Sequence, residues 1–153
     1  MSKHLFPEPA VTAATPEDDD AARLQVTTTR LARRLRREAG ARLTPSQLSV
    51  MASIDRSGPI TLGALAECER VAPPTITRVV ARLEADGLVE RRPDPDDRRV
   101  ARVVTTADGE RLLAESRARK IAWLAERLDQ LPARDRQRIG AALDALERLV
   151  EFP

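Results

Sequence analysis

The chain has 153 residues, a single cysteine and a formal net charge of only +2, although a third of its residues are charged. That length suits one domain able to bury an ordinary core, and one cysteine excludes an internal disulfide, so a reducing compartment is expected. No apolar run approaches a membrane span and residues 1–16 lack the apolar core of a secretory signal, so a soluble, cytoplasmic chain with no membrane partner is expected. The basic residues are arginines except Lys3 and Lys120. Arginine's planar fork suits phosphates and guanine edges, but genomic base composition also produces Ala- and Arg-rich chains. Net charge therefore argues weakly for a polyanionic partner, and placement has to carry the case.

Residues 1–15 carry prolines and small residues without periodicity, and a disordered arm is expected. Thr15-Pro16-Glu17-Asp18 then reads as a helix start: a hydroxyl cap, a first-turn proline and acids at the positive dipole end. The helix places Leu24, Thr28, Leu31 and Leu35 on one stripe and stops at Gly40. Five arginines between Arg30 and Arg37 crowd its second half, which suits a solvated face near a helix C-terminus. Thr44-Pro45-Ser46-Gln47 is a capping box opening a helix that buries Leu48, Met51 and Ile54 or their neighbours. Ser57-Gly58-Pro59 ends it, Ile60 supplies a very short strand, and Thr61 caps a brief helix with Leu62, Leu65 and Ala66 inward.

A turn over Glu69-Arg70-Val71-Ala72 leads into Pro73-Pro74, tolerable only where backbone N–H groups have no intrahelical partner. At 100° per residue Ile76, Val79, Val80 and Leu83 form one apolar arc. Opposite lie Pro74, Thr77, Arg78, Ala81 and Ala85, with Arg82 on the flank. This small, hydroxylated and basic face lets a helix approach a groove closely, with Thr77 and Arg78 reaching base edges or phosphates. Gly87 stops the helix, and Leu88–Arg92 makes a strand. Pro93-Asp94-Pro95-Asp96 makes a turn, and Arg99–Thr105 returns as a second strand. A helix followed by a charged ribbon is a common way to hold duplex DNA.

Thr106 caps a long helix over about residues 107–130, with Ile121, Leu124, Leu128 and Leu131 as its seam. After Pro132 a last helix repeats the seam with Ile139, Leu143, Leu146 and Leu149 or Val150. Two narrow seams with no partner in the small central module call for a second copy of the chain.

These residues resemble the MarR family of winged helix-turn-helix regulators over roughly 20–150. Leu65-Ala66-Glu67 opens the helix-turn-helix, with Val71 at the buried turn position. Thr77-Arg78 marks the recognition helix, closed by Leu83-Glu84-x2-Gly87-Leu88-Val89. The wing signature Asp-x-Arg-x3-Val-x2-Thr-x2-Gly falls on Asp97, Arg99, Val103, Thr106 and Gly109. The resemblance implies a mainly α fold with a small β-wing: a winged helix-turn-helix lobe over 41–106, with an N-terminal helix over 16–40 and C-terminal helices over 107–153 forming a dimerisation lobe.

It also implies a homodimer on palindromic operator DNA, most simply a repressor released by a small-molecule effector. Recognition helices would enter successive major grooves and Arg99 the minor groove, with Asp97 orienting Arg99. The expected DNA-binding residues are Pro74, Thr75, Thr77, Arg78, Arg82, Asp97, Arg98 and Arg99, with Arg98 ranked lower. Two positions depart from the family: Thr105 stands where leucine is usual, and Arg70 stands where a turn glycine is common, which demands an unusual backbone or a shifted turn.

Several sharper readings compete with plainer ones. Some relatives use a reactive cysteine, so Cys68 has a redox-sensing alternative; flanking Glu67 and Glu69 work against a thiolate, and a partly buried structural cysteine is expected. His4 reads as a surface residue of the arm, and one His with one Cys makes a metal site implausible. Asp18, Asp19 and Asp20 are explained by the helix dipole. Trp123 and Met51 read first as packing residues and second as walls of an effector pocket. No phosphate loop, nucleophile elbow or acid–base pair with a partner His is present, so neither an enzyme nor a cofactor is expected. A winged helix used only for protein contacts would not need Thr77, Arg78 and Arg99 together.

Overall fold

The computed structural model describes residues 16–40 and 42–151, with side chains from residue 19 onward. The expected arm, His4, the Thr15 cap and the Asp18 side chain lie outside the described residues. The chain forms two compact units, one ending at Arg34 and one beginning at Leu35. Helix α1 runs Pro16–Glu38, and up to Arg34 it is the described part of the first unit. Its Leu24, Val26 and Leu31 are exposed, and the Thr28 hydroxyl donates to the Leu24 carbonyl at 2.8 Å.

The second unit builds a winged helix from α2 (Pro45–Ser57), β1 (Ile60–Thr61), α3 (Leu62–Glu69), α4 (Pro73–Ala85), β2 (Val89–Pro93) and β3 (Ala101–Thr105). The long helices α5 (Ala107–Asp129) and α6 (Ala133–Glu151) follow. The capping box forms as its residues dictate: the Gln47 N–H donates to the Thr44 hydroxyl at 3.2 Å, and the Thr44 N–H to the Gln47 side chain at 2.9 Å. Thr61 caps α3 by accepting from the Ala64 N–H at 3.2 Å.

Val50, Met51 and Ile54 of α2, Leu65 and Ala66 of α3, and Ile76, Val80 and Leu83 of α4 close on Leu88, Val89, Val103 and Leu112 as one core. The α4 arc is thus buried as its periodicity predicts, with Val79 half-buried at its edge.

The expected two-stranded ribbon is a three-stranded antiparallel sheet in the order β1-β3-β2, because Ile60 and Thr61 pair with Val103 and Arg102. The return strand begins at Ala101 rather than Arg99. Residues 97–100 are drawn into the wing turn instead, where the Val100 N–H donates to the Asp97 carbonyl and the Asp94 N–H to the Val100 carbonyl, both at 2.9 Å.

Two helices of the lobe end in the same way. After α4, the Gly87 N–H bonds the Glu84 carbonyl at 3.0 Å and the Leu88 N–H the Leu83 carbonyl at 2.9 Å, with Gly87 at φ +72. After α3, the Arg70 N–H bonds Glu67 and the Val71 N–H bonds Ala66, each at 3.1 Å, with Arg70 at φ 52 and ψ 44. Arg70 therefore takes the left-handed conformation that a glycine adopts without cost.

Glu69, expected in the turn, ends α3 on its inward side. Its carboxylate accepts from the Ser49 hydroxyl at 2.9 Å and the Ser53 hydroxyl at 2.5 Å, pinning α3 to α2. Val71, expected to be buried, is 41% exposed beside that turn. Cys68 is exposed rather than partly buried, because Leu65, Ala66 and Glu69 take the inward side of this short helix.

Where α4, the wing and α5 converge, the Thr106 hydroxyl donates to the Gly87 carbonyl at 2.7 Å and accepts from the Gly109 N–H at 3.2 Å. The Thr106 N–H bonds the Leu88 carbonyl at 3.1 Å. A Cβ on Gly109 would stand 2.1 Å from the Leu88 carbonyl oxygen and 2.7 Å from Thr105 Cγ2. The Thr105 hydroxyl beside it is buried without a hydrogen-bond partner among the described residues, the one visible cost of departing from leucine. In equilibrium denaturation Gly109→Ala should lose about 2–4 kcal/mol, because backbone must move to admit the methyl. Arg70→Gly should gain about 0.5–1 kcal/mol by relieving the left-handed residue. A Gly109→Ala chain as stable as its parent would remove the close approach.

Candidate nucleic-acid interface

The exposed side of α4 is built by its own start. Ala72 offers no side-chain cap, so Pro73 and Pro74 fill first-turn positions that have no N–H to satisfy. Pro74, Thr75, Thr77, Arg78 and Arg82 are all exposed along this helix. The Thr77 hydroxyl donates to the Pro73 carbonyl at 3.0 Å, which commits its proton and leaves its oxygen as an acceptor. Arg82 lies 3.7 Å from Asp86, whereas Arg78 makes no ion pair among the described residues. Among the described residues Arg78 is thus a cation of this face without an ion pair.

The wing presents its arginine differently. The Asp97 carboxylate accepts from the Arg99 backbone N–H at 3.0 Å and from its Nε and Nη2 at 3.1 Å each. The Arg99 side chain is nevertheless 91% exposed. A forked carboxylate contact fixes the guanidinium plane while leaving its remaining donors to solvent. Asp97 and Arg99, paired by signature spacing alone, are thus in direct contact, while Arg98 beside them is exposed and unpaired among the described residues. Arg91 of β2 reaches Glu84 of α4 at 3.2 Å and ties the wing's first strand to the recognition helix.

Asp94 and Arg102 were not singled out by the sequence. Asp94 is buried, and its carboxylate accepts from the Asp96 N–H at 2.8 Å, the Asp97 N–H at 3.1 Å and the Arg102 guanidinium. Arg102 also donates to the Pro59 carbonyl at 3.1 Å. An Asp opening a turn often binds the N–H two residues on, so half of this arrangement had a local signal. The Arg102 half depends on register across the wing and had none.

Of the suggested effector-pocket residues, Met51 has no exposed surface and belongs to the core. Trp123 is half-buried on α5 with the Arg127 guanidinium 5.5 Å from its ring centroid. A concavity of about 420 Å³ lies instead beside the first turns of α4, lined by Val50, Val71, Thr75, Ile76 and Val79 with Glu69 and Arg36; neither Met51 nor Trp123 lines it. Among the described residues no cluster of His, Cys, Asp and Glu is arranged to hold a metal ion, and no helix is long and apolar enough to cross a membrane.

Both wing carboxyls are held below their ordinary value of 3.8: Asp94 by the Arg102 guanidinium and then the Asp96 and Asp97 N–H groups, Asp97 by the Arg99 side chain and then its N–H. A carboxyl lowered on folding stabilises above its unfolded value and loses that contribution as pH falls through the folded one. The Tm difference between the parent and Asp94→Asn should therefore stay level from about pH 7 to 5 and narrow below about pH 4. A difference that widens on acidification would contradict the assigned partners.

Comparison with known proteins supports the winged-helix fold. The MarR family model matches residues 43–101, which span the winged-helix lobe from before α2 to the start of β3. An uncharacterized HTH-type transcriptional regulator of Mycobacterium bovis is 39% identical over 129 residues, covering 84% of this chain and 90% of that protein. The crystal structure of a putative transcriptional regulator from Pseudomonas aeruginosa superposes with a TM-score of 0.81 at 36% identity, covering 91% of this chain and 99% of that one. The multiple antibiotic resistance repressor MarR superposes with a TM-score of 0.70 at 25% identity, covering 86% and 94%. Such relatives are transcriptional regulators and not enzymes. The chain belongs to the MarR family of winged helix-turn-helix, DNA-binding transcriptional regulators.

Proposed function

We propose that this chain is a repressor that binds a palindromic operator as a homodimer and is released by a small-molecule effector. The observation that carries the DNA reading is the pairing of an uncommitted Arg78 on the exposed side of α4 with an Arg99 held open at the wing by Asp97. In this reading α4 lies in the major groove, with Pro74, Thr75, Thr77 and Arg82 close to bases or phosphates, and the wing with Arg98 and Arg99 reaches the minor groove.

The homodimer reading is supported by apolar side chains left uncovered on the terminal helices. Ile121 of α5 is 58% exposed and Val150 of α6 is 84% exposed. Leu143, Leu146 and Leu149 are exposed too, and α6 buries no residue of its own. A symmetric pairing of such seams sets two recognition helices one helical turn of DNA apart. Residues 107–153 and the N-terminal helix over 16–40 would then form the dimerisation lobe. Release follows from linkage: an effector that prefers the lobe spacing misfitting successive grooves draws the population off DNA. The repressor sense follows the named MarR repressor it resembles in fold.

Selection from a randomised duplex library should recover one palindromic sequence. Against it, Arg78→Ala should lose about 1–3 kcal/mol and relax preference at one position per half-site. Arg99→Ala should weaken binding to all sequences and lower the salt slope by about one. Parent-like binding by both variants would show that the assigned face is wrong. In sedimentation the parent should be a dimer, and deletion of 132–153 should give monomer or insoluble chain. A well-behaved monomer that still binds the selected duplex would refute the assembly.

A further inference from the structure

The bond between Asp94 and Arg102 is the innermost link of a chain of contacts that ends at Arg99. Arg102 sits on the central strand β3, opposite Thr61 of β1 and Arg92 of β2. Its Nη1 holds the Pro59 carbonyl at 3.1 Å, at the corner between α2 and β1, while its Nε holds one oxygen of Asp94. The other oxygen of Asp94 draws in the N–H groups of Asp96 and Asp97. Asp97 is thereby placed to hold Arg99 through its backbone N–H, Nε and Nη2. Asp94 is only 5% exposed, so its carboxylate depends on these donors.

We infer that Asp94 and Arg102 are positioning residues of the wing, which set where Arg99 meets DNA by anchoring the wing turn to the Pro59 corner of the helical lobe. The inference rests on the reading of Arg99 as a DNA contact. Neither residue needs to touch DNA: Asp94 is buried and carries the wrong charge, and Arg102 spends Nε on Asp94 and Nη1 on the Pro59 carbonyl. A purely electrostatic role predicts the opposite sign, because removing a negative charge from a DNA-binding surface strengthens binding.

The test is a double-mutant cycle on the full chain, using the duplex that the parent selects from the library. Asp94→Asn keeps an acceptor for the turn N–H groups but loses the ion pair. It should weaken binding roughly five- to twentyfold in the parent background, and by less than about twofold in an Arg99→Ala background. Circular dichroism and Tm of each variant establish that it is folded at the assay temperature. Should Asp94→Asn fail to fold, Arg102→Lys carries the same cycle, since a single ammonium cannot hold Asp94 and the Pro59 carbonyl in the same forked geometry. Tighter binding by Asp94→Asn, or an equal loss with and without Arg99, overturns the inference while leaving the DNA reading intact. A parent chain that selects no duplex overturns both.

Discussion

The junction of Thr106 and Gly109 with Gly87 and Leu88 is the constraint on which the lobe depends. Three elements with different tasks end or begin there: the recognition helix stops, the wing's last strand finishes, and the first long terminal helix starts. One hydroxyl serves two of them by donating to the Gly87 carbonyl and accepting the Gly109 N–H. A helix terminus leaves backbone groups without partners, and here each end supplies part of what the other lacks. The backbones approach so closely that position 109 has no room for a side chain. The wing signature, read physically, specifies a weld between the end of α4 and the start of α5.

The same economy governs the rest of the interface. Charged groups near the wing are few enough to trace individually, and most are paired locally: Arg91 with Glu84, Arg92 with Glu90, Arg99 with Asp97 and Arg102 with Asp94. The first three are exposed pairs that contribute little stability, so their effect is orientation rather than cohesion, whereas Asp94 of the fourth is buried. A chain with net charge of only +2 can in this way still present exposed arginines. Its acids fix the attitude of some cations and leave others, such as Arg78 and Arg98, uncommitted.

Local rules made much of the fold legible. The capping box at Thr44, the hydroxyl caps at Thr61 and Thr106, the proline start of α4 and its apolar arc all depend on residues a turn or less apart. The demand on Arg70 was legible too, because a turn lacking glycine forces some other residue left-handed. Features set by longer-range pairing were not. Arg102 meets Asp94 across the wing, and Glu69 meets Ser49 and Ser53 from a different helix. The exposure of Cys68 and Val71 turns on the register in which α3 is pinned to α2, which no local pattern states. At the candidate site, the family's wing signature pointed to the Asp97–Arg99 contact but not to the residues behind it.

Helix α6 carries a further consequence. None of its nineteen residues is fully buried among the described residues, and in proteins most helical stability comes from tertiary packing of an apolar face rather than from backbone propensity. Whatever covers α6 therefore supplies part of its folding free energy as well as its position. Where the cover is a second copy, dissociation and melting of the helix become one equilibrium, and thermal stability rises with protein concentration. Secondary structure at this end of the chain is then a property of the assembly, and dilution acts on it as a denaturant does.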